Sequence, residues 1–438
     1  MKVSLAALFV HLFLGSSEAL FRGDKSDPLS RPFADAFSAR LSEVMRVRQP
    51  AAVTVVNYTT LFVSSFLGDA VLQTSLPLNS GSQFRVFAHG SYCTPDLRRC
   101  AILNGPWGLA HAHGRLYVSS FGSDQILVFE VSTGRFLDAL GDPSVLDSPE
   151  GLAASHDGSV LFVASFLNSR IVAFDIQDDG EFDIQDDGEQ LGLAPPGRIV
   201  VCGRPVDLDY LMDPDDGSFG MFDDGVESSS GVGGRHSSNR GICIPELHGP
   251  EDVVVLGDGR LAVTSYYNSS VLIVDSAPGK LVEVVTGPPG TLDGPMGITL
   301  DEDCDDFSVF GRAGDGTISS RFPGGGPCLL VAAYKSKAPG RISRFVRQGG
   351  RGWTYGGAAL ASENLHGPAC VAVLPDGALA CAYDASALLS FNATEMALDH
   401  KAVISVSGTL RLNSEGEGAP QQHPRKRRRM RRRLGGGE

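Results

Sequence analysis

The chain has 438 residues, 42% of them hydrophobic, and a formal net charge of −14. This length and apolar content are sufficient for a large buried core. The acidic balance disfavours nucleic acid as a partner, because the chain repels phosphate backbones. After the first residues, no stretch approaches the roughly 18 apolar residues that a membrane helix needs.

The N-terminal residues 1–19 predict a signal peptide. Lys2 precedes an apolar run over residues 3–14, and Ser17-Glu18-Ala19 forms a small-x-small cleavage pattern. The run is too short to anchor the chain in a bilayer. We therefore expect a secreted, extracellular protein, and an endomembrane or secondary-plastid route through the same signal is the alternative.

Residues 20–50 predict a linker with one short amphipathic helix. Phe33, Phe37, Leu41 and Met45 recur at every fourth position. This spacing predicts a helix over residues 31–48 with one apolar face.

A phrase that recurs along residues 51–408 predicts the fold. Each copy opens with Gly-Pro or Ser-Pro and continues in short apolar bursts separated by turn residues. Repeats of about 40–50 residues built from short strands are typical of a propeller. One such blade cannot bury both faces alone, so several close into a ring. We predict an all-β six-bladed β-propeller with four-stranded antiparallel blades.

The predicted blades follow each other in chain order, so no strand needs to be exchanged between the termini. The first blade lacks the Gly-Pro opening. The expected bounds are 53–87, 105–140, 148–201, 249–285, 294–360 and 367–406.

Two insertions, about residues 177–245 and 302–326, interrupt the repeats. The first follows a perfect tandem octapeptide at 174–181 and 182–189 and is acidic and rich in Ser and Gly. Low hydrophobicity and high charge predict tolerated surface loops. Loops that carry binding specificity are the alternative.

The eight cysteines predict four disulfides between nearest neighbours. Cys370 and Cys381 flank a hairpin turn symmetrically, which places their Cα atoms within disulfide range. The other pairs bracket the insertions or close a short loop. Disulfides at these positions suit an oxidising compartment. The paired Cys-x-x-Cys spacing that zinc sites prefer is absent from the sequence. The expected pairs are Cys93–Cys100, Cys202–Cys243, Cys304–Cys328 and Cys370–Cys381.

Residues 409–438 predict a disordered basic tail, since eight of the nine residues 425–433 are Lys or Arg. We expect the tail to contact anionic surfaces, with cleavage by a convertase as an alternative. Three sequons predict a glycoprotein, at Asn57, Asn268 and Asn392.

One repeat position carries side chains suited to ligand binding. Equivalent positions in a propeller fall on a ring, and the residue before each opening starts the innermost strand at the channel mouth. We call this set the mouth ring. Its predicted members are Asn104, Asp147, His248, Asp293 and His366.

Imidazole and carboxylate groups in the mouth ring could hold a divalent cation such as calcium or zinc. The candidate ligands are Asp147, His248, Asp293 and His366. Glu150 and Glu251 are candidates to orient a ligand or act as a base. The alternative is that Asn, Asp and His simply favour turns before Gly-Pro. The sequence identifies no catalytic residue.

The phrases at residues 105–110, 116–121 and 126–129 resemble NHL-type β-propeller repeats, especially those of secreted proteins, over residues 53–406. The familiar phrase has Asp after the Val of the second strand, where this chain has Ser119, Ala164 and Thr264. The resemblance implies kinship with peptidyl-hydroxyglycine lyases, streptogramin lyases and gluconolactonases, which use a metal near the channel. Other relatives are binding modules. The three-histidine pattern of the lyases and the acidic opening motif of gluconolactonases are not matched.

We therefore predict a secreted propeller that acts as a binding or scaffold module. Its expected ligand is an extracellular protein, a glycan or a small molecule. The alternative is a metal-dependent lyase or lactonase at the channel mouth, and the fold alone does not choose between them.

Overall fold

The computed structural model describes residues 47–78, 82–94, 97, 99–141, 143–176, 197–206, 242–277, 279–302, 304, 326–336, 339–347, 352–374, 377–391, 402–405 and 409–412. The predicted signal peptide, the interiors of both insertions, Asn392 and the basic run 425–433 lie outside these residues. So does the linker up to residue 46, and Val47 and Arg48 at the end of the expected helix are not helical. Among the described residues, no helix has the length and apolar character needed to cross a membrane.

The strands form six sheets, and each sheet follows the chain order from the channel outward. Blade 1 contains β1 (Pro50–Val56), β2 (Thr60–Ser65), β3 (Ala70–Ser75), β4 (Arg85–Cys93) and β5 (Cys100–Leu103). Blade 2 contains β6 (Pro106–Ala112), β7 (Arg115–Ser120), β8 (Gln125–Glu130) and β9 (Phe136–Leu140). Blade 3 contains β10 (Pro149–Ala154), β11 (Val160–Ser165), β12 (Arg170–Asp175), β13 (Arg198–Arg204) and β14 (Ile242–His248).

The second half of the ring has the same arrangement. Blade 4 contains β15 (Pro250–Val255), β16 (Leu261–Ser265), β17 (Ser270–Val274) and β18 (Leu281–Val285). Blade 5 contains β19 (Pro295–Asp301), β20 (Cys328–Ala333), β21 (Gly340–Arg347) and β22 (Trp353–Ser362). Blade 6 contains β23 (Pro368–Leu374), β24 (Gly377–Ala382), β25 (Ala387–Phe391), β26 (Ala402–Ser405) and β27 (Thr409–Leu412).

The innermost strands close a ring around a central channel. β1, β6, β10, β15, β19 and β23 contact each other in this order, and β23 contacts β1. Because every sheet keeps the chain order, no strand is exchanged between the termini. The fold is the six-bladed β-propeller that the repeats predict.

The second strand of each blade is apolar because both its faces are covered by neighbouring blades. Leu61, Phe62 and Val63 on β2 are all fully buried. The core is accordingly divided among the seams between blades. Phe62 and Val71 of blade 1, for example, pack with Leu116 and Leu127 of blade 2.

Three blades carry a fifth strand where the sequence predicts four. β5 and β14 are each fastened to the preceding strand by a disulfide, because the Cys93–Cys100 and Cys202–Cys243 pairs are also register partners. β14 pairs with β13 in parallel and not antiparallel. The structure contains the four disulfides that nearest-neighbour pairing predicts, including Cys304–Cys328 and Cys370–Cys381.

Blade 1 opens in the same way as the others, although the sequence indicates no opening there. Gln49 has φ 51° before Pro50, and its carbonyl accepts the Phe66 N–H as that of Gly105 accepts the Phe121 N–H. A glutamine therefore holds the left-handed position that glycine occupies in four other blades. The missing glycine hid this equivalence in the sequence.

At several seams a hairpin turn of one blade hydrogen-bonds the opening of the next blade. The Gly105 N–H donates to Asp69 Oδ1 at 2.8 Å, and the Ser148 N–H donates to Asp124 Oδ1 at 2.8 Å. The Gln49 N–H donates to Ser386 Oγ at 3.0 Å. This last bond ties blade 6 to blade 1 and closes the ring without a shared strand.

A hydroxyl bridge also joins three blades to their successors, at the position where the familiar NHL phrase has Asp. In each bridge the hydroxyl accepts an N–H from the innermost strand of its own blade and donates to a carbonyl of the next blade's innermost strand. Thr264 Oγ1 accepts from Asp252 N and donates to Met296 O, both at 2.8 Å. Ser64 links Ala52 to Trp107, and Ser119 links Gly108 to Glu150, with distances of 2.6–2.8 Å.

We expect Thr264→Val to destabilise the propeller by about 1–3 kcal/mol, because it leaves the buried Asp252 N–H and Met296 C=O without their partner. The shape of the side chain is nearly unchanged. Chemical denaturation measures the loss. Thr264→Ser is the matched control: it keeps both hydrogen bonds and loses one methyl group, about 0.8 kcal/mol. A valine variant as stable as the serine variant would contradict the bridge's role.

Candidate functional site

The mouth-ring residues occupy one equivalent backbone position in their blades. In each of these blades the backbone carbonyl of the mouth-ring residue accepts one backbone N–H. The donor lies two residues after the last residue of the blade's second strand. The pairs are Asn104–Gly122, Asp147–Leu167, His248–Tyr267, Asp293–Lys335 and His366–Asp384, at 3.0–3.3 Å. Arg48 is the sixth member, because its N–H donates to Ser65 Oγ as the Asn104 N–H donates to Ser120 Oγ.

The side chains of the mouth ring have separate local environments. His248 stacks on Tyr267 with ring centroids 4.7 Å apart, and burial together with the nearby Arg204 charge lowers its pKa. Burial and the Asp124 charge raise the pKa of Asp147. His366 is exposed.

The mouth ring does not form a preassembled metal centre. In the part of the chain that the structure describes, one group of three potential donors lies within 4.8 Å: Asp301, Cys304 and Cys328. The two cysteines are disulfide-bonded to each other, which removes their thiolates as ligands. The four predicted metal ligands therefore do not fit a bound ion in their present positions.

An aromatic collar lies below the mouth ring. In every blade the residue directly after the second strand is aromatic. Its backbone N–H donates to the carbonyl of the residue just before the opening proline. This bond places the collar one level deeper along the channel than the mouth ring. The collar consists of Phe66, Phe121, Phe166, Tyr266, Tyr334 and Tyr383.

The collar rings contact each other and close this end of the channel. Trp107 fills the centre, with ring centroids 5.1 Å from Phe66 and 5.7 Å from Tyr383. Phe166 contacts Tyr266 at 6.4 Å on the other side. Lys335 Nζ lies 5.0 Å from the centroid of Tyr266, which is within cation–π range. The sequence analysis missed the collar, although the six aromatic residues recur at one repeat position.

Two buried glutamates lie near each other one level below the collar. The residue after the opening proline is Ala51, Trp107, Glu150, Glu251, Met296 or Ala369, one from each blade. Glu150 and Glu251 belong to neighbouring blades and are each 1% exposed. Their carboxyl groups are near enough for each to influence the pKa of the other. Glu150 Oε2 and both Glu251 oxygens are buried and have no hydrogen-bond partner.

Burial controls the ionisation of this pair. Loss of water raises the pKa of Glu251 to about 7, and burial together with the facing Glu251 charge raises that of Glu150 well above its ordinary range. Glu251 therefore changes its protonation state near neutral pH.

Asp252 adds a third carboxyl group that sequence reasoning missed. Its oxygens accept the Val253 N–H at 2.8 Å and the Ile298 N–H at 2.9 Å. These bonds lower its pKa, but burial outweighs them and raises it to about 7. A Cβ atom on Gly151 would lie 2.1 Å from Asp252 Oδ1, so only glycine fits beside this carboxyl. We call Glu150, Glu251 and Asp252 the carboxyl cluster.

The channel contains a cavity of about 350 Å³ lined by all six innermost strands. Trp107, Glu251, Asp252 and Met296 line its collar end. Residues near the other end are partly exposed, including Thr54, Ala153, Thr299 and Ala372. The cavity thus opens away from the mouth ring, and the collar separates the ring from the carboxyl cluster.

No protein-family model matches the chain. No curated protein matches it either. Solved structures with similar folds include the virginiamycin B lyase from Staphylococcus aureus, with 14% identity over 79% of this chain and 80% of that one and a TM-score of 0.41. A nidogen/laminin complex gives 15% identity, 81% and 95% coverage and a TM-score of 0.44. The hydrazine synthase of Kuenenia stuttgartiensis gives 13% identity, 80% and 97% coverage and a TM-score of 0.43. At these identities and TM-scores the comparisons show no family for this chain, and the six-bladed propeller is established by its own strand pairing.

The carboxyl cluster predicts that stability falls as pH rises. A carboxyl whose pKa is raised in the folded state binds more protons there than in the unfolded chain, so the free energy of unfolding decreases between about pH 5 and pH 8. For Glu251 the loss is on the order of 3 kcal/mol, from a pKa raised to about 7. Glu251→Gln should make the decline shallower, as measured by chemical denaturation across this range.

Glu363→Gln, at an exposed position, is the control and should keep the decline of the unaltered protein. A wild-type stability that stays level or rises over this range would contradict the neutral state of the buried pair.

Proposed function

We propose that this protein is an extracellular binding module that takes a small ligand into its channel, against the carboxyl cluster. The observation that carries the proposal is the cavity in the channel, whose closed end is lined by the acidic residues Glu251 and Asp252. Concave sites with apolar walls and a few converging polar groups are typical ligand sites.

The carboxyl cluster costs folding free energy and has no counterpart in most blades. Burying a carboxyl group without full hydrogen bonding costs about 1–3 kcal/mol. Ala51, Trp107, Met296 and Ala369 occupy the same position in the other blades, so the architecture itself does not require an acid there. A ligand that binds at this end of the cavity accounts for the two acidic residues that line it, Glu251 and Asp252.

An extracellular location agrees with the chemistry of the chain. The predicted signal peptide directs secretion, and four disulfides persist in an oxidising compartment. The exposed sequon residues Asn57 and Asn268 are accessible to glycosylation.

Binding is better supported than metal-dependent elimination or lactone hydrolysis. Those reactions need a cation held near the channel, and the described donors of the mouth ring do not converge to hold one. The carboxyl cluster lies on the opposite side of the collar from His248 and His366, so the two sets do not form one active site.

Ala372→Trp tests the channel. Ala372 lines the cavity near its open end and is partly exposed there, so an indole should obstruct entry while the chain still folds. We expect a thermal-shift screen of small neutral, anionic and cationic compounds to give stabilisers of the unaltered protein that have no effect on this variant.

Val282→Trp is the matched control, because Val282 is 45% exposed on the outer strand β18. It should respond to the same compounds as the unaltered protein. Compounds that stabilise Ala372→Trp equally, or a screen without any stabiliser, would contradict a ligand site in the channel.

A further inference from the structure

The turns that carry the collar leave an apolar surface at the end of the propeller where the innermost strands begin. Its side chains are not fully buried, and its aromatic rings contact buried collar members such as Tyr383. Leu67 is the most exposed of them, at 49%. Contiguous apolar surface that is left partly open marks a site for another apolar surface. We call this surface the mouth face; it consists of Phe66, Leu67, Phe121, Leu167, Tyr267 and Tyr334.

The chain enters the propeller at the mouth face. Val47, the first residue that the structure describes, is 4% exposed and belongs to the same apolar cluster as Trp107 and Tyr383. Phe66 packs against this cluster. The residues that precede Val47 and follow the predicted signal peptide, 20–46, are therefore joined to the mouth face without an intervening linker.

The sequence of these residues matches the mouth face in spacing. Phe33, Phe37, Leu41 and Met45 recur at every fourth position, which in a helix is a rise of about 6 Å. Where neighbouring collar rings contact each other, their centroids are 5.9–6.4 Å apart. A helix over residues 33–45 is about 20 Å long, which reaches across a collar of six such rings.

Charges at the point of entry favour the same contact. Asp69 and Asp384 are exposed in the turns of blades 1 and 6, the two blades that meet where Val47 enters. Arg46 directly precedes Val47, and residues 31–46 contain three arginines against two acidic residues. Opposite charges at the rim of an apolar contact favour one orientation of the two surfaces.

We propose that residues 31–46 dock on the mouth face as an amphipathic helix, with their apolar stripe over the collar. Recognition of an apolar surface by anchors at every third or fourth helical position is a common mode. A segment of the same chain has an advantage over a separate partner, because its attachment at Val47 keeps its effective concentration high.

The docked segment covers the mouth ring and leaves the channel accessible. The cavity opens at its other end, near Thr54 and Ala372. Docking is therefore independent of the proposed ligand site, and it gives the propeller one covered end and one open end.

Thiol labelling of the full chain tests the docking. The eight native cysteines are paired in four disulfides, so Leu67→Cys adds one reactive thiol on the mouth face. We expect it to react with a maleimide at least about tenfold more slowly than Val282→Cys, because the thiol reacts only while the segment is undocked. Val282 is the matched reference site, since it is 45% exposed on β18 and Leu67 is 49% exposed.

Two double variants of the segment separate docking from other causes of protection. Phe37→Asp with Leu41→Asp places two charges on the apolar stripe and should raise the labelling rate of Leu67→Cys to that of the reference site. Ser38→Asp with Ser42→Asp adds the same charges one residue further on, off the stripe, and should keep the protection. Neither pair should change labelling at the reference site.

A second thiol position guards against loss of an apolar contact in the first. Ala385→Cys, in the exposed turn of blade 6, should show the same pattern as Leu67→Cys. Equal labelling of Leu67→Cys and Val282→Cys in the otherwise unaltered chain would overturn the proposal, as would a secreted chain that begins after residue 46. Protection that survives the stripe variant would overturn it too, and its loss on dilution would assign the mouth face to a second copy of this chain.

Discussion

Closure of the innermost strands into a ring is the constraint on which the rest of the structure depends. Each blade is a sheet with two apolar faces, so a blade is stable only when both neighbours are in place. The hydroxyl bridges of Ser64, Ser119 and Thr264 fix the height of one innermost strand against the next. The Gln49–Ser386 hydrogen bond does the same at the junction of the two ends of the chain. These bonds hold the mouth ring, the collar and the glutamates at defined levels.

The seam between blades 3 and 4 departs from this scheme, and the candidate site lies there. Ala164 occupies the bridge position of blade 3 and has no hydroxyl group to offer. At the same seam Glu150 of blade 3 faces Glu251 of blade 4, and Gly151 lies against Asp252. The Gly249 N–H still donates to Ser169 Oγ across this seam at 3.0 Å, but two facing carboxyl groups stand where other seams have a hydroxyl bridge. Because the charge of these groups depends on pH, this seam is more sensitive to pH than the seams that hydroxyl groups bridge.

The sequence predicts the architecture well because the same pattern occurs several times, which settles the assignment of strands that a single copy would leave open. Openings such as Gly105-Pro106 and Gly249-Pro250 recur in register with apolar bursts, and each copy supports the others. The same register predicts that His248 and His366 lie at one end of the channel, and their carbonyls accept equivalent backbone N–H groups, those of Tyr267 and Asp384. Blade 1 was harder to delimit, since Gln49 holds a backbone conformation usually assigned to glycine.

Depth along the channel was the quantity that the sequence could not supply. Glu150 lies three residues after Asp147, and nothing in the pattern indicates that an aromatic layer separates them. That layer comes from second strands, at residues such as Tyr266 and Tyr383, far from the glutamates in the chain. Asp252 was equally hidden, because its role depends on the close approach of Gly151 from the neighbouring blade.

The collar and the carboxyl cluster depend on each other physically. Trp107, Tyr266 and Tyr383 exclude water from above the glutamates, and this loss of solvent raises the pKa of Glu251 to about 7. A more open collar would let water reach the pair, return the carboxyl groups to ordinary acidity and leave two adjacent negative charges to repel each other. By favouring the protonated form of these carboxyl groups, the collar lets blades 3 and 4 pack together with less repulsion across their seam. The seal that closes one end of the propeller therefore sets the chemistry of the cavity that opens at the other.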